Sequence, residues 1–353
     1  MTEAVYARLA DALDRLPNGF PRTRAGYEIM ILKRIFSADE ARVACVLGSA
    51  HEPVEVIAGR AGVTAEEAGA RLEVMAERGL VWADPGGGGF RLAPFVVGIY
   101  EAQEMDPEFA HLVEHYFSEG GAAGIMGPSP ALHRVIPSQS AVKTELILPY
   151  DDVKAILKAN KTFRLADCIC REQQEHIGKK CRFPKRTCLS FTAYERPSRS
   201  GDISKEEALR KLDEFEELGL VHTVSNVVRG PTIAGAVSYV CNCCGCCCGI
   251  LRGITEFGLE GSVAHANYYS EVDSGACVGC GVCVGKCQVK AVQLVEGVAV
   301  VDRKACIGCG LCVTKCPSGA ARLVPKPESE VVHPPVDFEA WERERLSSRG
   351  LAD

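Results

Sequence analysis

Cys277-Val-Gly-Cys280-Gly-Val-Cys283-Val-Gly-Lys-Cys287-Gln288 and Cys306-Ile-Gly-Cys309-Gly-Leu-Cys312-Val-Thr-Lys-Cys316-Pro317 are one phrase written twice. Each half reads C-x2-C-x2-C-x3-C. A loop of that spacing presents three thiols on one side. The fourth cysteine opens a helix that points the other way and serves the other half's centre. The pattern therefore assigns Cys277, Cys280, Cys283 and Cys316 to one [4Fe–4S] cluster, and Cys306, Cys309, Cys312 and Cys287 to a second. Zinc sites use two C-x2-C pairs instead of four-cysteine runs. Gly279, Gly281, Gly308 and Gly310 let the loops wrap. Val282, Val284, Val289, Ile307, Leu311 and Val313 are expected to pack around the clusters and keep water out. Gln288 stands where the pattern expects proline, which should shift a potential without removing a ligand.

Residues 271–324 thus resemble bacterial two-cluster ferredoxins. The resemblance implies a compact two-cluster domain at 266–326 that carries electrons at low potential.

The whole chain has 353 residues, 47% of them hydrophobic, and a net charge of −6. That is room for two or three domains with real cores. The acidic balance weighs against a dedicated nucleic-acid binder. No apolar run approaches the roughly 20 residues of a membrane span, and the N-terminus has no signal-peptide core. A cytoplasmic protein is expected. It has 19 cysteines, an odd number, and only Cys45 precedes Cys168. Clustered cysteines in a reducing compartment read as metal ligands rather than disulfides.

Two further groups lie before the repeat. Cys168-x-Cys170-x10-Cys181-x6-Cys188 offers four soft ligands in a spacing unlike a zinc ribbon. Lys161, Arg164, Arg171, Lys179, Lys180, Arg182, Lys185 and Arg186 surround it. They would stabilise thiolates or receive an anion, or form a solvated face. His176 reads as a surface residue. The run Cys241-Asn-Cys-Cys244-Gly-Cys-Cys-Cys248 cannot aim six thiols at one metal, because neighbours in extended chain face opposite ways. The apolar stretch Ala236–Val240 is expected to carry it inward as a strand. Cys241 and Cys244, three apart, are the expected ligands of the run. Together with Cys168, Cys170, Cys181 and Cys188 they are expected to hold at least one further iron–sulfur cluster. A thiol-redox or metal-buffering role is the alternative.

Taken in order, ADCICR, C-x2-P-x3-CLSF, GLVH-x3-N, the CNCCGCCC run and the ferredoxin repeat resemble a family of multi-cluster iron–sulfur proteins of anaerobic bacteria and archaea. The resemblance spans about residues 147–324, through Cys168, Cys170, Arg171, Cys181, Pro184, Cys188, His222, Asn226 and the Cys241–Cys248 run. It implies redox work on iron–sulfur centres.

The first hundred or so residues read differently. Helices are expected at 38–47 and 54–61. Another opens at Thr64, whose hydroxyl and Glu67 spell a capping box. Ala68, Leu72 and Met75 form its apolar face, and Gly79 stops it. Residues 80–82 and 90–95 read as a two-stranded wing, so the domain resembles a winged helix-turn-helix. The helix from Thr64 carries Glu66, Glu67, Glu73 and Glu77 against Arg71 and Arg78, a poor match for phosphate. Protein docking is the favoured role. Thr64–Val81 aligns without gaps on Ser204–Val221, through shared helix grammar or a duplicated helix.

The expected architecture is an α+β multidomain chain. It comprises a winged-helix-like domain (1–100), a connector (101–150) that is flexible at 120–130, and a cysteine-rich α/β domain (151–265). The ferredoxin-like two-cluster domain (266–326) and a tail (327–353) with a helix near 338–346 follow. The expected function is electron transfer with an oxidoreductase subunit or redox partner. A redox-sensing transcription regulator is the alternative, and a cluster-delivery protein a third reading.

Overall fold

The computed structural model describes residues 2–142, 147, 149–228 and 238–351. Helices Thr2–Asp14, Tyr27–Ile35, Ala38–Ala44, Val54–Ala61 and Ala65–Glu77 precede an antiparallel hairpin of Val81–Ala83 and Phe90–Leu92. Ser37 with Glu40, and Thr64 with Glu67, each close a capping box. Such boxes satisfy N–H groups that a first helical turn leaves free. Ala68, Leu72 and Met75 are buried together, as their spacing requires. Gly62 and Gly79, at φ 68° and 70°, end the two helices before them.

The stretch expected as a connector has its own elements. Helix Pro107–Tyr116 is capped by Asp106, and helix Ala122–Met126 and strand His133–Ile136 follow. Residues 120–130 are not loose: Gly121, Ala122, Ile125 and Met126 are buried. The cause is distant in sequence. The buried guanidinium of Arg345 donates to the carbonyls of Pro17, Ile125, Pro128 and Pro130. The tail is likewise structural, since helix Phe338–Ser348 seats Trp341, whose Nε1 donates to Ala131 O at 3.0 Å.

The middle of the chain builds a six-stranded sheet. Its order is His133–Ile136, Val221–Ser225, Ser238–Cys243, Arg186–Thr192, Thr162–Asp167, Asp202–Ile203. Every neighbouring pair is antiparallel. This corrects the α/β expectation, because among the described residues no strands of this sheet pair in parallel. Part of the strand expected at Ala236–Val240 lies outside the described residues; the described strand starts at Ser238. One face is covered by helices Val153–Lys158 and Lys205–Leu218 through Val153, Leu157, Leu212 and Phe215. Toward the N-terminal helices, a single core runs from Leu9 and Phe95 through Val135 and Tyr268 to Trp341.

The C-terminal module pairs Tyr268–Val272 with Ala321–Pro325, and Val292–Val295 with Val298–Val301. Short helices Val282–Lys286 and Leu311–Thr314 carry the third cysteine of each run and end before the fourth. Cys287 and Cys316 therefore follow a helix and do not open one, which corrects the expectation for the fourth cysteine.

Candidate metal centres

In the ferredoxin-like module the glycines earn their place by contact. Gly279 and Gly308 have φ of 67° and 71°, and a Cβ there would lie 2.4 Å from Gly297 O and 2.6 Å from Tyr268 O. Only glycine allows loops to press so closely on neighbouring backbone. Cys277, Cys280, Cys283 and Cys316 line one pocket. Cys309 and Cys312 are each electrostatically coupled to Cys287 and Cys306. The fourth cysteine of each run therefore stands with the first three of the other. N–H groups point at sulfur: Ala299 N to Cys277 Sγ at 3.5 Å, Ala291 N to Cys287 Sγ at 3.2 Å. Ser270 Oγ is 3.1 Å from Cys312 Sγ. Such donors favour negative charge on sulfur. Burial pushes the Cys312 thiol up to about 11, so a thiolate there needs a cation beside it. Donors, glycine cradles and spacing together suit iron–sulfur clusters.

The two halves differ in exposure. Val289, Ile307 and Leu311 are buried around the second group, whereas Val278 is 68% exposed beside the first. Val282 and Val284 are also exposed, which corrects the expectation that they exclude water; their loop lies at the surface.

Gln288 has a partner. Its Oε1 accepts from Gly245 N at 3.0 Å, and its Nε2 donates to Gly219 O at 2.8 Å. A Cβ on Gly245 would fall 1.8 Å from Gln288 O, so the two backbones touch. The residue after Cys287 thus abuts the residue between Cys244 and Cys246.

The ten cysteines from Cys168 to Cys248 form two groups. In the first, Cys181, Cys244, Cys246 and Cys247 lie with all sulfurs within 4.8 Å of one another. In the second, Cys168, Cys170, Cys188, Cys241, Cys243 and Cys248 line a cavity of about 70 Å³, which Cys244 also borders. Their thiols interact in an unbroken row, Cys168 to Cys170 to Cys248 to Cys243 to Cys241 to Cys188. Local structure explains the row. Cys241 and Cys243 alternate with Asn242 along one strand and share a face. The pairing of Leu189 with Val240 sets Cys188 across from Cys241. Cys168 and Cys248 are the N-caps of helices Ile169–His176 and Gly249–Thr255. Two expectations are corrected. Cys181 is not grouped with Cys168, Cys170 and Cys188, and Cys241 and Cys244 fall in different groups. The reason is that the chain leaves the strand after Cys243 and turns at residues 245–247.

Arg171, 1% exposed, lies between the groups. It donates to Thr187 Oγ1, and to Asn242 O at 2.9 Å, and its charge reaches Cys168, Cys244 and Cys181. Hydrogen bonds with Cys246 and Cys247, with Arg171 adding, hold the Cys244 thiol well below its usual range. Cys241, then Cys248, bring Cys243 down to about 6. Two of the other cations expected here serve ion pairs, Lys185 with Glu175 and Lys179 with Glu114 at 3.6 Å, while Arg164 and Arg182 donate to Ser200 O and Gly285 O. His176 is exposed, as expected. His222 and Asn226 are structural: His222 Nδ1 meets Asn242 Oδ1 at 2.7 Å, and Asn226 Nδ2 donates to Ala131 O at 3.1 Å.

Some cavity walls come from the N-terminal half and carried no sequence signal: Val96, Val97, Tyr100 and His133. His133 is 4% exposed. Its Nδ1 is 3.2 Å from Thr223 Oγ1, which lies 3.5 Å from Cys243 Sγ. Burial lowers this imidazole to about 4, so it is neutral near pH 7. Three helices around the cavity meet on Glu114. It accepts from Gln173 and Gln174 at 3.0 Å each, and from Arg252 at 2.9 and 2.6 Å.

Arg71 and Arg78 of the helix considered for DNA are ion-paired to Asp39 and Glu40, at 3.9 and 2.5 Å. Among the described residues no helix is long and apolar enough to cross a membrane.

Residues 276–321 match the 4Fe-4S dicluster domain family. Comparison with curated proteins and with solved structures returned no match. The chain carries a ferredoxin-like 4Fe-4S domain with a cysteine cluster packed against it, a combination that supports iron–sulfur electron transfer.

Proposed function

We propose that this chain is an electron-transfer subunit or partner of an anaerobic oxidoreductase, passing electrons between two [4Fe–4S] clusters and a further iron–sulfur centre in the thiol-lined cavity. The ferredoxin ligands are Cys277, Cys280, Cys283 and Cys316, and Cys306, Cys309, Cys312 and Cys287. In the cavity the ligands come from Cys168, Cys170, Cys188, Cys241, Cys243 and Cys248. Electrons enter or leave at the first cluster, where the loop is exposed, and the second, buried cluster hands them inward.

The observation that carries this reading is the contact of Gln288 with Gly245. It leaves one covalent step and one hydrogen bond between Cys287 and the backbone next to Cys244, the member of the compact group that also borders the cavity. The winged-helix-like domain serves as wall and protein-docking module. Pairing of Arg71 and Arg78 within the domain supports this over DNA binding.

The test is freeze-quenched EPR and Mössbauer spectroscopy on the anaerobically purified full chain after photoreduction of the ferredoxin clusters. Electrons should reach a middle-domain iron centre as the ferredoxin signals decay. A middle domain without iron, or one that stays oxidised, would overturn the proposal. Salt-sensitive DNA binding that depends on oxidation state would favour the regulator.

A further inference from the structure

The compact group invites a different chemistry from the cavity. Cys181 Sγ lies 3.8 Å from Cys244 Sγ and 3.7 Å from Cys246 Sγ, and Cys246 Sγ lies 3.6 Å from Cys247 Sγ. The edge of a tetrahedron is about 1.6 times its centre-to-corner distance. With metal–sulfur bonds of about 2.3 Å, four thiolates on one ion stand about 3.8 Å apart. A cubane holds its thiolates outside its corner irons, and so farther apart. Among the described residues neither ferredoxin group is drawn into so tight a set.

The surroundings favour charge on these sulfurs. Phe183 N donates to Cys181 Sγ at 3.5 Å, and the buried Arg171 lies beside Cys244 and Cys181. Four thiolates on a divalent cation leave a net charge of −2, which Arg171 partly offsets. Three ligands come from one turn, residues 244–247, and the fourth from a segment 63 residues earlier. An ion there would pin the turn whose Gly245 meets Gln288.

We propose that Cys181, Cys244, Cys246 and Cys247 form a mononuclear tetrathiolate site for one borderline-soft divalent cation, zinc or iron, separate from any cluster in the cavity. Tetrahedral S₄ donor sets suit both ions. The site stands independently of the electron-transfer reading.

The test uses the anaerobically purified full chain and its Cys246→Ser variant, with the ferredoxin EPR signals as the control for folding. Zinc, iron and acid-labile sulfide are measured per chain. The variant should lose about one zinc, or one iron, with sulfide unchanged. Zinc-edge X-ray absorption of the parent should show four sulfurs at about 2.3 Å and no second metal. If the ion is iron, the oxidised parent should show an isolated high-spin ferric signal that the variant lacks. Should the variant fail to fold, these two spectra of the parent decide alone. Loss of sulfide together with several irons would make these residues cluster ligands and overturn the proposal. So would a parent whose four thiols titrate as free and whose metal is all sulfide-bound. Neither result bears on the ferredoxin clusters or the cavity, which are read from the remaining sulfide.

Discussion

Gln288 fills the position that Pro317 holds in the other half of the repeat, and its amide makes two bonds that a proline ring could not. Gln288→Ala removes both. At about 1 kcal/mol each, the change should leave the fold and the iron content intact. It should slow electron transfer between the ferredoxin clusters and the middle domain several-fold, as read by freeze-quenched EPR. Unchanged transfer with both bonds gone would show that the path runs elsewhere. Spacing alone displays the eight ferredoxin cysteines, because their pattern is local and repeated. The partner of Gln288 is 43 residues away, so the departure from proline was visible but its reason was not. His133 was hidden in the same way: a lone histidine far from any cysteine carries no pattern.

Three helices that carry cavity thiols or border them are tied by one carboxylate. Glu114 sits on Pro107–Tyr116 and receives Gln173 and Gln174 from Ile169–His176 and Arg252 from Gly249–Thr255. Burial alone would raise its pKa, but Arg252, with Gln174 and Lys179 adding, outweighs burial and lowers it. A depressed carboxylate contributes stability above its unfolded pKa, and that contribution fades as the pH falls through the folded one. Glu114→Ala leaves Arg252, 1% exposed, without its main partner. Arg252 keeps Glu256 at 2.8 Å, so the loss should fall short of the cost of a buried charge left wholly unpaired, about 3–5 kcal/mol. The variant should show a lower urea midpoint at pH 7 and lose cavity iron while keeping its ferredoxin signals; a wild-type midpoint would refute the clamp. Helix boundaries such as Thr64 and Ser204 were readable because capping is local chemistry. Both helices lead into strands, yet one packs in the N-terminal core and the other on the six-stranded sheet, a difference their shared grammar does not contain. The glycines of residues 120–130 read as a loose connector because Arg345, which binds that backbone, lies 220 residues from Ile125.

Across the whole molecule one core joins N-terminal helices, sheet and ferredoxin-like module, and a thiol-lined cavity is closed by residues from both halves of the chain. Composition announced a metal protein, and the repeat announced its clusters. The division of the middle cysteines into a row of six and a compact four needed the alternation of one strand and the turn after it. The central claim is that cysteines are placed here to hold and relay electrons through iron–sulfur centres. The most direct measurement is iron and acid-labile sulfide content, with EPR during reductive titration, of the anaerobically purified full chain. The account predicts about eight irons in two reducible, mutually broadened [4Fe–4S] signals from the ferredoxin module, and further reducible iron beyond those eight. Zinc in place of that iron, with no signal on reduction, would contradict it.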